Sequence, residues 1–251
     1  MILSRIAKHL REQNWTAVGI ELLIVIFGVF IGAQASTWNE ERKERDGERV
    51  FLHRIRQDIA GDLADTRGKV VHLRQVEAAA ERADRFMTAG QPCAPGRCWS
   101  VLVDFFVASQ WQNMAPERGV LEALRGSIYP YDFKLKQKLI RNYTVIEEGA
   151  RLGGPSEYRA RVRKLIPIEV QRGLWACNQG FGATQTVNLA CPPVITDAQA
   201  RVIVERLRSN ETLHGELISG ASFQLSMVGA LGGWCADTER VIATLDGLLA
   251  R

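Results

Sequence analysis

The side chains best suited to acid–base or metal chemistry are four histidines and the carboxylates near them. Glu211-Thr-Leu-His214 is an E-x-x-H segment, which on a helix sets a carboxylate and an imidazole one turn apart. A carboxylate-bridged two-metal bundle needs two such segments plus further glutamates, and the chain has one. His53 and His72 fall on a predicted helix among Asp58, Asp62 and Asp65, where they could form a metal or acid–base cluster. They are about five turns apart and cannot share an ion. This group reads instead as the solvated face of an amphipathic helix. His9 sits in a basic N-terminal stretch. There is no G-x-S-x-G nucleophile segment. Gly180-Phe-Gly182 lacks the third glycine and the preceding strand of a dinucleotide loop. No residue is therefore assigned to catalysis, metal or cofactor binding, and no cofactor is expected.

The five cysteines carry a different chemistry. Four fall in two local pairs inside Gly/Pro-rich or polar loops: Cys93 with Cys98 in CAPGRC, and Cys177 with Cys191 in CNQGFGATQTVNLAC. None makes a C-x-x-C pair, which argues against zinc-ribbon and thioredoxin readings. Short separations with turn-forming residues between them predict two disulfides, and hence an oxidising compartment. Cys235, in a helix-patterned stretch, is left over as a buried thiol.

The element that organises these pieces is Ala17 to Ser36, AVGIELLIVIFGVFIGAQAS. As a helix it spans about 30 Å, the thickness of a bilayer's hydrocarbon core. Residues 1–16 read as a basic cytoplasmic segment, with Ile2, Leu3, Ile6 and Leu10 at helical spacing among Arg5, Lys8 and Arg11. Trp15 and Trp38 bracket the span as interfacial aromatics do. Basic residues lie on both sides (Arg42, Lys43, Arg45 and Arg49 follow), so the cysteines carry the assignment of N-terminus inside and body outside. Ala33-Gln34-Ala35 also fits a signal-peptidase site, and cleavage there would release a secreted protein. Glu21, Val25, Gly28, Gly32 and Ala35 share one face, with Gly28 and Gly32 as a G-x-x-x-G pair. This face reads either as a helix–helix contact, with itself or with another membrane protein, or as ordinary lipid-facing sequence.

Glu21-Leu-Leu-Ile-Val25, Gly28-Val29, Gln34 and Trp38-Asn-Glu-Glu-Arg42 resemble the anchor signature of a bacterial family of single-pass membrane proteins of unknown function. Leu121 to Tyr143 resembles a second, looser segment of that family. Gly32 and Ser36-Thr37 depart from the pattern without disturbing the anchor. The resemblance implies an inner-membrane location with a periplasmic body, and brings no activity.

Residues 37–251 read as one helical extramembrane domain. Charged residues at 24% and hydrophobic ones at 46% are globular composition. The net charge of +4 is spread among interleaved acids and bases, which gives no footprint for nucleic acid. A seam of Leu52, Ile55, Ile59, Leu63, Thr66, Val70, Leu73, Val76, Ala80, Ala83 and Met87 predicts a long helix continuing from the anchor. Trp99 to Trp111 predicts a short apolar helix. Another starts near Pro116, with Glu117 in its first turn, and ends at Gly126. A third runs from a cap at Asp132 through Glu148. A fourth runs from a cap at Ser156 to Trp175, kinked at Pro167. Thr184 to Leu189 suggests a brief strand. From Thr196 and Asp197, one or two helices return along the first.

The expected fold is all-α: a transmembrane helix continuing into a long helix that packs in an extramembrane bundle. The expected function is that of a non-catalytic interaction module, as sensor, scaffold or membrane-complex subunit. Two alternatives stand beside it: an envelope enzyme built on carboxylates and His53, His72 or His214, and a secreted protein cut at Ala35.

Overall fold

The computed structural model describes residues 15–116, 118–152, 154, 156–179, 185–188 and 190–250. Most of the basic segment 1–16, the Trp15 side chain, Glu117, Gly180 to Gly182, Thr184 and Leu189 lie outside that description. The described residues form eight helices: α1 (Trp15–Ala89), α2 (Cys98–Ala108), α3 (Val120–Gly126), α4 (Phe133–Leu152), α5 (Glu157–Leu165), α6 (Ile168–Trp175), α7 (Asp197–Arg208) and α8 (Leu213–Leu249). Two short strands, β1 (Asn178–Gln179) and β2 (Thr186–Val187), pair antiparallel within the Cys177–Cys191 loop. The protein is all-α.

The chain divides into two units, Met1–Phe51 and Leu52–Arg251. The described part of the first is helical, and its apolar window is not covered by protein at all. Ile20, Leu22, Leu23, Ile24, Val25, Ile26, Phe27, Val29, Phe30 and Ile31 are all exposed. A helix satisfies its own backbone groups, so such a segment is compatible with lipid. Thr37 turns its hydroxyl back onto the Ala33 carbonyl at 3.1 Å, as threonine does inside helices.

The second unit is a helical domain built along residues 52–89 of α1. Helix α8 returns antiparallel to it: Arg56 grips Asp246 with two hydrogen bonds of 2.8 and 3.1 Å, Arg67 pairs with Glu239, and Asp84 meets His214 at 2.7 Å. Helix α2 is also antiparallel to α1, with Arg82 on Asp104 at 2.7 Å and Lys69 Nζ donating to Ala115 O at 2.9 Å.

One cluster of buried apolar side chains joins Val76, Ala80 and Ala83 of α1 to Leu102, Phe105 and Phe106 of α2, to α5, α6 and α7, and to Leu213 and Leu217 of α8. The remaining buried residues include Ile55 and Ile59 of α1, Leu121 and Leu124 of α3, Leu139 and Tyr143 of α4, and Leu231, Trp234 and Leu245 of α8. Among these, the Tyr143 and Trp234 rings meet edge to face at 5.8 Å. Each fully buried aliphatic contributes roughly 1.5–3 kcal/mol of transfer free energy.

Between Ile59 and Val76, α1 also buries Asp62, Thr66, Lys69 and His72. This corrects the reading of the histidine–aspartate stretch as a solvated face: His53 is exposed, but Asp62 and His72 are each 1% exposed. A single seam has one buried side, whereas α2, α4 and α8 all reach residues 52–89 of α1 and bury positions off that seam, Asp62, Lys69 and His72 among them. Asp62 is matched, accepting from Arg118 Nη1 at 3.1 Å and from the Tyr143 hydroxyl at 3.0 Å. Neither ring nitrogen of His72 has a partner, and burial lowers its pKa from 6.5.

Local signals explain most helix ends. Asp132 Oδ1 accepts from the Lys134 and Leu135 amides. Ser156 caps α5 through the Arg159 amide, and Thr196 with Gln199 forms a capping box on α7. Two expectations need correcting. Helix α3 starts at Val120, not near Pro116, because Gly119 at φ +62° holds a left-handed turn that a helix cannot contain. Pro167 does not kink one helix but divides two. Its missing N–H and the extended Ile166 before it end α5, and α6 begins at Ile168.

Candidate functional site

The helical domain holds a cavity of about 630 Å³. It is bounded by α1 at Leu73, the segment after α2 from Gln110 to Met114, the end of α4 at Ala150, the start of α5, and the first half of α8. Its existence follows from side-chain size on α8. Thr212, Gly215, Glu216, Ser219, Gly220, Phe223 and Met227 recur three and four apart, so they share one face. Gly215, Ser219 and Gly220 are too small to fill the space toward Leu73 and Met114. Gly215, Ser219 and Phe223 remain exposed, so the cavity opens to solvent on this side.

The wall combines apolar side chains (Leu73, Trp111, Met114, Phe223, Met227) with three glutamines. Gln110 and Gln112 are 3% and 9% exposed. Gln112 Nε2 donates to the Lys69 carbonyl and Gln224 Nε2 to the Gln110 carbonyl, both at 3.4 Å. Gln110 Nε2, Gln112 Oε1 and Gln224 Oε1 have no hydrogen-bond partner. An amide left unmatched in a buried wall costs about 1–3 kcal/mol, so three in one wall are unusual.

Charge at the wall is acidic and largely compensated. Arg161 holds Glu216 through Nε at 2.8 and 2.7 Å, and that hydrogen bond keeps the Glu216 carboxyl below its usual range. Glu157 is the other lining acid, and no lysine, arginine or histidine is among the described lining residues. Tyr158 contributes its ring while its hydroxyl donates to the Phe105 carbonyl at 3.1 Å. Burial and nearby Asp104 push that phenol well above its ordinary pKa. Ser156 is occupied as the α5 cap. The wall thus offers hydrogen-bonding and apolar surface, with no nucleophile paired to a base.

The residues singled out from sequence lie elsewhere. His53, His72 and His214 are not brought together: His214 pairs with Asp84, and among the described residues no three His, Cys, Asp or Glu side chains converge as a metal site would require. Two cysteine pairs lie at disulfide distance, with Cα separations of 5.3 Å for Cys93–Cys98 and 5.5 Å for Cys177–Cys191. Their loops are tied to each other. Trp99 Nε1 donates to the Cys191 carbonyl at 3.0 Å, and Asp197 accepts from the Gly96 and Cys98 amides at 2.9 and 3.0 Å. Asp197 thereby caps α2 from another helix. Cys235 is free and buried, and burial raises its thiol pKa. On the face of Glu21, Val25, Gly28, Gly32 and Ala35, a Cβ at Gly28 or Gly32 would meet nothing within 4 Å.

The cavity was missed because its residues carry no motif. The signal available was the run of small residues on α8 at one helical phase, facing the amide-rich Gln110-Trp-Gln112 segment. No family model, curated protein or solved structure matches this chain.

Proposed function

We propose that this is a single-pass protein of a bacterial inner membrane whose helical domain sits on the periplasmic side and acts by binding, as a sensor or complex subunit. The observation that carries the reading is the apolar window of α1, long enough to span a bilayer and wholly uncovered by protein. Ten large apolar side chains from Ile20 to Ile31 open to water would be a severe solubility liability, and lipid removes it. The two cysteine pairs at bonding distance favour an oxidising compartment for the domain. The resemblance of Glu21 to Arg42 to a family of anchored bacterial proteins supports the same location. Glu21, Val25, Gly28, Gly32 and Ala35 offer a close-approach face for a second copy or another spanning helix.

The test is fractionation of the full-length protein with carbonate washing, combined with alkylation of the denatured, unreduced chain. Retention in the membrane pellet with only Cys235 labelled is the expected result. A soluble periplasmic product beginning at Ser36 overturns the anchoring, and five labelled cysteines overturn the orientation.

A further inference from the structure

We propose that the cavity between α8 and the Gln110–Met114 segment is a binding site for an uncharged small molecule that joins an apolar body to an amide-type head. Its size, about 630 Å³, lies within the range of small-molecule sites, which run from about 300 to 1,000 Å³. Its chemistry is specified by what the wall leaves unmatched. Gln110 Nε2 is an unmatched donor and Gln112 Oε1 and Gln224 Oε1 are unmatched acceptors, each tucked into the wall with almost no exposed surface, so an occupant meets them once the amides turn. An amide head answers both kinds of group, whereas a purely apolar molecule answers neither. The last torsion of glutamine is broad, and on turning toward an occupant Gln112 and Gln224 give up only the long 3.4 Å bonds to the Lys69 and Gln110 carbonyls.

Charge removes the main alternatives. No cation lines the described wall, so a carboxylate or phosphate would enter beside Glu157 and Glu216 with nothing to neutralise it. Glu216 is already matched by Arg161, which lessens its pull on an ammonium group. Trp111, Met114, Phe223 and Met227 supply the contact surface for the apolar body, and the exposed Ser219 marks the way in. The site deepens the binding role proposed above but does not depend on membrane attachment.

The probes are three compounds of one shape: 4-butylbenzamide, 4-butylbenzoate and 4-butylbenzylamine. The chain has four methionines. Met114 and Met227 line the cavity, whereas Met87 packs against the disulfide-tied core and serves as an internal control. Full-length protein with methyl-labelled methionine, held in detergent, is titrated and followed by NMR. Saturable shifts at Met114 and Met227 with Met87 unmoved, and affinity for the amide about tenfold above that for either charged analogue, are expected. Gln110→Leu should weaken amide binding about tenfold. Ser219→Trp, at an exposed position where folding is not at stake, should block it.

Non-saturating shifts, as from a merely water-filled cavity, overturn the proposal. So does tighter binding of the benzoate or the benzylamine, or amide binding that survives both substitutions. Amide binding by a protein found free of membranes would leave the site standing and overturn only the anchoring.

Discussion

Residues 19–36 and residues 52–89 belong to one helix and follow opposite solvent rules. In the first stretch Ile24, Val29 and Phe30 are 65, 69 and 60% exposed. In the second, Ile55, Ile59 and Val76 are fully buried, and so nearly are Asp62, Lys69 and His72. Secondary structure does not separate the two, since both are helical. What separates them is the medium each surface needs. The first offers mostly apolar surface, which suits a lipid-like surrounding. The second buries polar groups and needs partners for them, which Asp62 has and His72 lacks.

The strongest way to break this comparison is to make the first stretch resemble the second. Placing arginine at both Ile24 and Phe27 should cost about 5–7 kcal/mol of membrane insertion. The protein should leave the carbonate-resistant pellet while thermal unfolding of the helical domain stays unchanged, which fractionation and circular dichroism would report.

Next in size is truncation at matched positions. Ile59→Ala should destabilise the domain by about 2–5 kcal/mol, because the residue has no exposed surface and leaves a cavity. Ile26→Ala, 54% exposed in the wild type, should leave the denaturant midpoint where it was. Equal effects at the two sites would erase the distinction.

Asp62→Ala tests the matched polar group. It strands the buried Tyr143 hydroxyl and takes one of two carboxylates from Arg118, for an expected loss of about 2–3 kcal/mol in urea unfolding.

His72→Leu should act in the opposite direction and least, stabilising by about 1 kcal/mol because two unpartnered nitrogens are removed. Its pH dependence fixes the cause. Burial holds the folded imidazole below its ordinary 6.5, so under pH 6.5 the unfolded chain binds more protons. Wild-type stability from this group is complete above pH 6.5 and is lost as pH falls toward the folded value. The gain from His72→Leu should therefore be larger at pH 5 than at pH 7.5.

Much of the fold was legible because its signals are local. The caps at Asp132, Ser156 and Thr196 depend on a side-chain oxygen reaching an amide two or three residues away. The paired cysteines lie 5 and 14 positions apart, separations short enough to read directly. The errors also have local causes. Gly119 outweighed Pro116 because a left-handed residue interrupts a helix whatever stands before it, and Pro167 with the extended Ile166 divided a helix where a kink was expected. The burial of Asp62 and His72 had no such cause. It depends on how many helices surround α1, which a single-seam reading underestimates.

What the sequence by itself determined is each stretch's preference for a medium and a local shape: an apolar helix about the thickness of a bilayer, a series of amphipathic helices, and two short cysteine loops. Those follow from hydropathy, period and loop length, which act along the chain. Only the tertiary structure decided that Asp197 caps α2 from another helix, that Arg163 lies 3.5 Å over the Phe106 ring, and that the small face of α8 stands opposite Gln110 and Gln112 around open space. Each of these joins residues 50 or more positions apart. The chain's periodicity specifies which face is turned inward, and packing alone selects what that face meets.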